Sequence, residues 1–105
     1  MCETLKLTLK RPWFLLMLSR KKKIEIRKPS DWIKSRLVNR DYRKIRFTNG
    51  YGNEKPYFVC EYNSYEIATK KQTINFDNKE VIIEVGDYII HLGKITDKGN
   101  LGGLT

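Results

Sequence analysis

The stretch "SRKKKIEIR", residues 19–27, decides how the rest of the chain is read. Four consecutive cations, Arg20 to Lys23, run into an alternating segment with Ile24 and Ile26 on one face and Lys23, Glu25 and Arg27 on the other. Alternation with period two predicts a strand over residues 22–28, stopped by Pro29. On that strand Glu25 and Arg27 share a face about 7 Å apart, near enough to pair or to flank one ligand, and Lys22 opens the same face. The plain alternative is a surface strand whose Glu25–Arg27 pair balances charge. An exposed pair of that kind contributes less than about 1 kcal/mol, so stability alone does not call for it.

Working outward, "LKLTLK" (5–10) alternates strictly and predicts a half-buried strand. Pro12 suits the first turn of a helix continuing over 13–20. Ser30 is a good N-cap for a second helix over 31–40. Strands are then expected over 42–48, 57–69 (one bent strand or two), 73–76, 80–85 and 88–95. Asn49-Gly50 marks a tight turn, and Asp77-Asn78 and Gly86-Asp87 mark others. The Gly-rich end, 96–105, is expected to be a mobile tail. Two early helices followed by short strands predict an α+β fold: one domain over 1–105, a small closed or partly closed β-barrel of about five to six strands with two short helices near the N-terminus.

Charge is unevenly distributed. The 105 residues carry a formal +9, but residues 1–50 hold 15 Lys and Arg against 4 Asp and Glu, whereas residues 51–105 hold 6 against 8. A chain polarised in this way can present a positive face to nucleic-acid phosphates, anionic membranes or acidic proteins. The longest apolar run, residues 12–18, is far short of the ~20 residues of a membrane span, so a soluble, cytoplasmic protein is expected, with a monomer favoured. Cys2 and Cys60 form no CxxC or Cys/His cluster and are expected to be free thiols, with neither metal nor cofactor. The lone His91, in the apolar run "YIIHLG", reads as a strand residue rather than a general base. Phosphate-cradling Gly motifs are absent from the sequence.

The segment "RKKKIEIR" resembles the signature GxKxxExR of the ASCH domain, a branch of the PUA-like barrels. Lys22, Glu25 and Arg27 fall on its Lys, Glu and Arg, and Arg20 stands in place of its glycine. The flanking strand, the helix opened by "RPW" and the late "VGDYIIHLGKI" are similar as well, over roughly residues 4–96. The resemblance implies a PUA-like barrel with a basic cleft between the first helix and the barrel. The ligand would be RNA, single-stranded nucleic acid or a nucleotide or nucleoside, held partly through a base. Lys22 and Arg27 would meet phosphate or a ligand carbonyl, and Glu25 a base edge or a water. Some relatives are ribonucleases or amidohydrolases acting on acetylated cytidine. A small hydrolase using Lys22 and Glu25 is therefore the alternative, although the amidohydrolases carry a nucleophilic threonine where Glu25 stands. A basic adaptor for an acidic protein is a further alternative.

Around the signature, Trp13, Trp32 and Tyr51 are candidates for base stacking or for core packing. Lys10, Arg11, Lys28, Arg43 and Arg46 are candidate phosphate contacts. Asn49 is a candidate base-edge contact, or simply a turn residue.

Overall fold

The alternating leucines at the amino terminus build the first strand, β1 (Glu3–Thr8), which buries Leu5 and Leu7, with Leu9 buried just beyond. Helix α1 (Arg11–Leu18) follows, with Pro12 in its first turn and Phe14, Leu16 and Met17 buried. Strand β2 (Ile24–Arg27) leads to α2 (Asp31–Leu37), where Ser30 Oγ accepts from the Ile33 amide at 3.1 Å and Ile33 and Leu37 face the core. Five strands remain: β3 (Tyr42–Thr48), β4 (Tyr57–Ile67), β5 (Gln72–Phe76), β6 (Lys79–Ile83) and β7 (Tyr88–Gly99). A 3-10 turn, Leu101–Leu104, ends the fold. The structure, a computed structural model, describes residues 3–52 and 54–104. Cys2 and the last residue of the expected tail lie outside them.

The architecture is α+β. Five strands form one curled half-barrel sheet in the order β1-β3-β4-β7-β2, and β5 and β6 make a separate two-stranded ribbon. The pairings β3–β4, β4–β7 and β7–β2 are antiparallel, whereas β1 and β3 run parallel. Parallel neighbours need a long crossover, and α1, β2 and α2 all lie within it. The crossover therefore carries β2 to the opposite edge of the sheet from β1. The main core gathers Phe14, Ile33, Leu37, Ile45, Phe47, Phe58 and Ile90, with the Phe58 ring 5.0 Å from Phe14 and 5.3 Å from Phe47. A smaller cluster joins Ala68, Ile83 and Ile89 to Ile24, Ile26 and Ile74, and so seats the ribbon on β2.

Several sequence expectations need adjusting. Asn49-Gly50 does not make a tight hairpin: β3 and β4 are joined by an eight-residue connection, 49–56, closed by the Asn49 amide on Pro56 O at 2.9 Å. Gly50 and Gly52 there take φ of 99° and 120°, conformations open to glycine. The stretch 57–69 is a single strand, bent by register shifts between Val59 and Ser64. The tail begins later than expected, because residues 96–99 continue β7 against β4. Gly99 leaves space there for the Tyr57 ring: a Cβ would stand 2.6 Å from it, so the ring would have to shift. Burial of Cys60 in the core pushes its thiol up to about 12.

The chain leaves α1 through Arg20, whose φ of 70° is left-handed. Its amide donates to Met17 O at 3.1 Å and the Lys21 amide to Leu16 O at 3.1 Å, the pattern of a helix end that usually takes glycine. Here the side chain compensates, since Arg20 Nη1 donates to Gly93 O at 2.7 Å and ties the helix end to β7. Arg20→Ala keeps the strained backbone and loses this bond, and is expected to lower unfolding free energy by about 1–2 kcal/mol. Arg20→Gly loses the bond but relieves the strain, and should be about 1 kcal/mol more stable than the alanine variant in urea unfolding.

Candidate functional site

Strand β2 is an edge of the sheet. Lys23 O accepts from the Leu92 amide of β7 at 3.2 Å, and antiparallel alternation then turns the N–H and C=O groups of Ile24 and Ile26 away from β7. Those outward groups would be open to another strand. Neighbouring side chains occupy two of the four instead. Lys22 Nζ donates to Ile24 O at 2.8 Å, and Glu25 Oε1 accepts from the Ile26 amide at 3.2 Å.

The surface-strand reading of this segment therefore fails. Lys22 and Glu25 are each only 4% exposed, and Ile24 and Ile26 pack beneath the ribbon. Glu25 Oε1 also accepts from Lys22 Nζ at 3.4 Å. Its Oε2 accepts from Arg27 Nε at 2.8 Å, and Arg27 Nη2 stands 2.8 Å from the same oxygen. Arg27 Nη2 in turn donates to Thr8 O at 2.7 Å, at the end of β1 on the far edge of the sheet. The signature-like residues thus bridge the two open edges of the half-barrel.

Lys22 Nζ lies 5.6 Å from the Trp13 ring and 5.5 Å from the Phe76 ring, with aromatic faces supplying part of the solvation that burial removes. Burial nonetheless lowers the Lys22 pKa from its ordinary value. Glu25 opposes that shift through its charge and hydrogen bond, and the Arg27 charge adds to it.

This bridge floors a cleft of about 1060 Å³. Of the twelve residues singled out in the sequence, eight line it: Lys10, Trp13, Lys22, Glu25, Arg27, Lys28, Asn49 and Tyr51. The remaining four lie elsewhere. Arg11 borders a neighbouring groove, and Trp32 is half exposed on α2 with the Arg36 guanidinium 5.0 Å from its ring. Arg46 is stacked on Tyr57 at 3.8 Å, and neither it nor Arg43 lines the cleft. Asn49 spends its amide on Leu9 O at 3.1 Å, stitching the 49–56 connection to β1. Lys28 Nζ pairs with Asp87, a buried carboxylate that also accepts from the Glu84 amide, both at 2.9 Å. His91 stands 3.4 Å from Glu66 on the adjacent strand.

The accessible chemistry is narrower than the lining suggests. Both Glu25 oxygens already accept within the protein, so neither stands ready as a general base. Arg27 retains Nη1, whose two N–H groups have no partner among the described residues. Tyr51, 85% exposed, stands at the cleft mouth between Gly50 and Gly52. Sequence reasoning missed the contribution of the ribbon, Val81 and Ile82, and that of Thr8, which acts through its carbonyl. Half-exposed Ile82 had a legible signal, an apolar residue on the outer face of an alternating run, whereas a backbone oxygen has none. Comparison with protein-family models, with curated proteins and with solved structures returns no match.

Removing the carboxylate strands two buried or half-buried cations. Glu25→Ala is expected to cost about 3–5 kcal/mol in urea unfolding. Lys21→Ala, which breaks the exposed 3.0 Å pair with Asp77, should cost less than about 1 kcal/mol. Lys22 gives a pH signature. Its folded-state pKa lies below the unfolded 10.5, so between the two values the unfolded chain binds more protons. The contribution of this group to stability should therefore rise with pH through that window, towards 10.5. The wild type should gain on Lys22→Met over the same range when unfolding free energies are compared.

Proposed function

We propose that the protein is an RNA- or nucleotide-binding module that takes a single-stranded ligand into the cleft between α1, the half-barrel seam and the ribbon. One observation carries this reading. The cleft sets the exposed Lys10 and Lys28, from opposite sheet edges, and the rings of Trp13 and Tyr51 around the unpaired Nη1 of Arg27. Cations placed about aromatic faces suit a ligand with phosphate and a planar base, because phosphate supplies affinity and stacking is indifferent to sequence. The cleft volume, about 1060 Å³, suits an unstacked nucleotide or two rather than a duplex.

In this reading Arg27 Nη1 donates to a phosphate or base carbonyl while Nε and Nη2 keep the seam closed. Glu25 and Lys22 hold Arg27 in orientation and do not touch the ligand as base or nucleophile. The likeness of residues 20–27 to the ASCH signature supports the same ligand class, and membership of that family is part of the proposal. Binding is preferred to hydrolysis because Glu25 is saturated by its own neighbours.

Titration of a short single-stranded RNA across a salt series tests the proposal. Log K should fall linearly with log salt, with a slope of about −0.7 for each phosphate contact. Tyr51→Ala, a change at an exposed side chain, should weaken binding by about 1–3 kcal/mol without altering the unfolding midpoint. Absence of binding at low salt, or affinity indifferent to Tyr51→Ala and Lys10→Ala together, would sink it.

A further inference from the structure

Helix α1 is apolar on more faces than its single packing partner requires. Phe14 and Met17 enter the core and Trp13 faces the cleft, yet Pro12, Leu15 and Leu18 form a second stripe at a spacing of three, of which Leu18 packs partly against the core and Pro12 and Leu15 are exposed. A helix apolar around most of its circumference is ordinarily covered on each of those faces. Here the second stripe is open: Leu15 is 41% exposed, and with Pro12, Leu16 and Leu18 it floors a groove of about 720 Å³. The rim is cationic, formed by Arg11 and Lys21 on the helix side and Lys79 on the ribbon. Its one carboxylate, Asp77, is held by Lys21 at 3.0 Å.

We propose that this groove is a docking surface for an acidic, amphipathic protein segment. Apolar side chains of the segment would seat on Pro12 and Leu15, and its carboxylates would face the rim chiefly at Lys79, with Lys21 shared with Asp77. The charge pattern selects this occupant. A second copy of the chain would bring a net +9 against a cationic rim. A phosphate backbone could meet the rim cations but would leave the apolar floor unused, whereas an amphipathic segment uses both. The groove shares α1 with the cleft but not the lining residues used above, so the inference is independent of the proposed ligand.

The test is selection from a displayed library of random peptides on the intact protein, with the enriched peptides synthesised and titrated against wild type and Leu15→Glu. Enriched sequences should be net acidic, with apolar residues at helical i, i+3 or i+4 spacing. Their affinity should fall about tenfold or more in Leu15→Glu, while single-stranded RNA binding is unchanged. No enrichment, enrichment of basic or purely polar peptides, or equal affinity for Leu15→Glu would overturn the proposal. Self-association of the wild type abolished by Leu15→Glu would assign the groove to a second copy. Capture of anionic phospholipid vesicles through Leu15 would assign it to a lipid surface. Either result would equally overturn the proposal.

Discussion

The half-barrel does not close through backbone pairing; it closes through one guanidinium. The sheet ends in two open edges, β1 and β2, and Arg27 spans them by donating to Thr8 O while resting on Glu25. Glu25 is in turn held by Lys22 and by the Ile26 amide. Burying these charges carries a desolvation cost of several kcal/mol per ion, recovered only when each polar atom finds a partner in good geometry. Among the described residues no buried side-chain nitrogen or oxygen lacks one. The network also blunts the free edge of β2, because Lys22 and Glu25 occupy two of the backbone groups that a foreign strand would use.

Fold and site consequently share residues. The floor of the cleft is the seam itself, so a change at Lys22, Glu25 or Arg27 disturbs stability before it reports on any ligand. The rim is separable: Lys10 and Tyr51 point outward and the core does not depend on them. Arg27 belongs to both, since its Nε and Nη2 are committed to the seam and the residue also lines the cleft. The ribbon completes the enclosure. Phe76 stands over Lys22, Val81 and Ile82 line the cleft, and the Lys21–Asp77 pair fastens the ribbon turn near the end of α1.

Much of this was legible in the sequence where the signal is local. The alternation of 5–10, Pro12 at the helix start, Ser30 as N-cap and the Asp77-Asn78 turn each encode their structure within a few residues, and each element forms there. What escaped depends on distant partners. No local pattern announces that β1 pairs in parallel with β3, since a parallel pair has no turn to mark it. The alternation of β2 did separate its two faces. It could not reveal that Glu25 is the most buried residue of the strand, because its Arg27 partner is anchored on Thr8 O from another strand. Gly99, which looked like part of a flexible tail, lies within β7 against the Tyr57 ring, which a side chain there would displace. The glycine missing from the signature was legible as a departure, and Arg20 does sit at a left-handed position. The bond to Gly93 O that accommodates it comes from a strand seventy residues away.

The charge asymmetry takes on a different meaning once each cation is followed to its partner. A net +11 over the first fifty residues suggests a broad positive surface, yet much of it is spent within the fold. Arg20 caps α1, Lys22 and Arg27 close the seam, Lys28 meets buried Asp87 and Arg46 stacks on Tyr57. Net charge counts these residues as though they all faced solvent. The positive charge left about the cleft is therefore confined to a few positions, chiefly Lys10, Arg27 and the exposed length of Lys28. A small number of oriented cations beside aromatic rings favours a shaped site over a diffuse polyanion surface, because affinity then depends on where phosphate and base lie relative to one another.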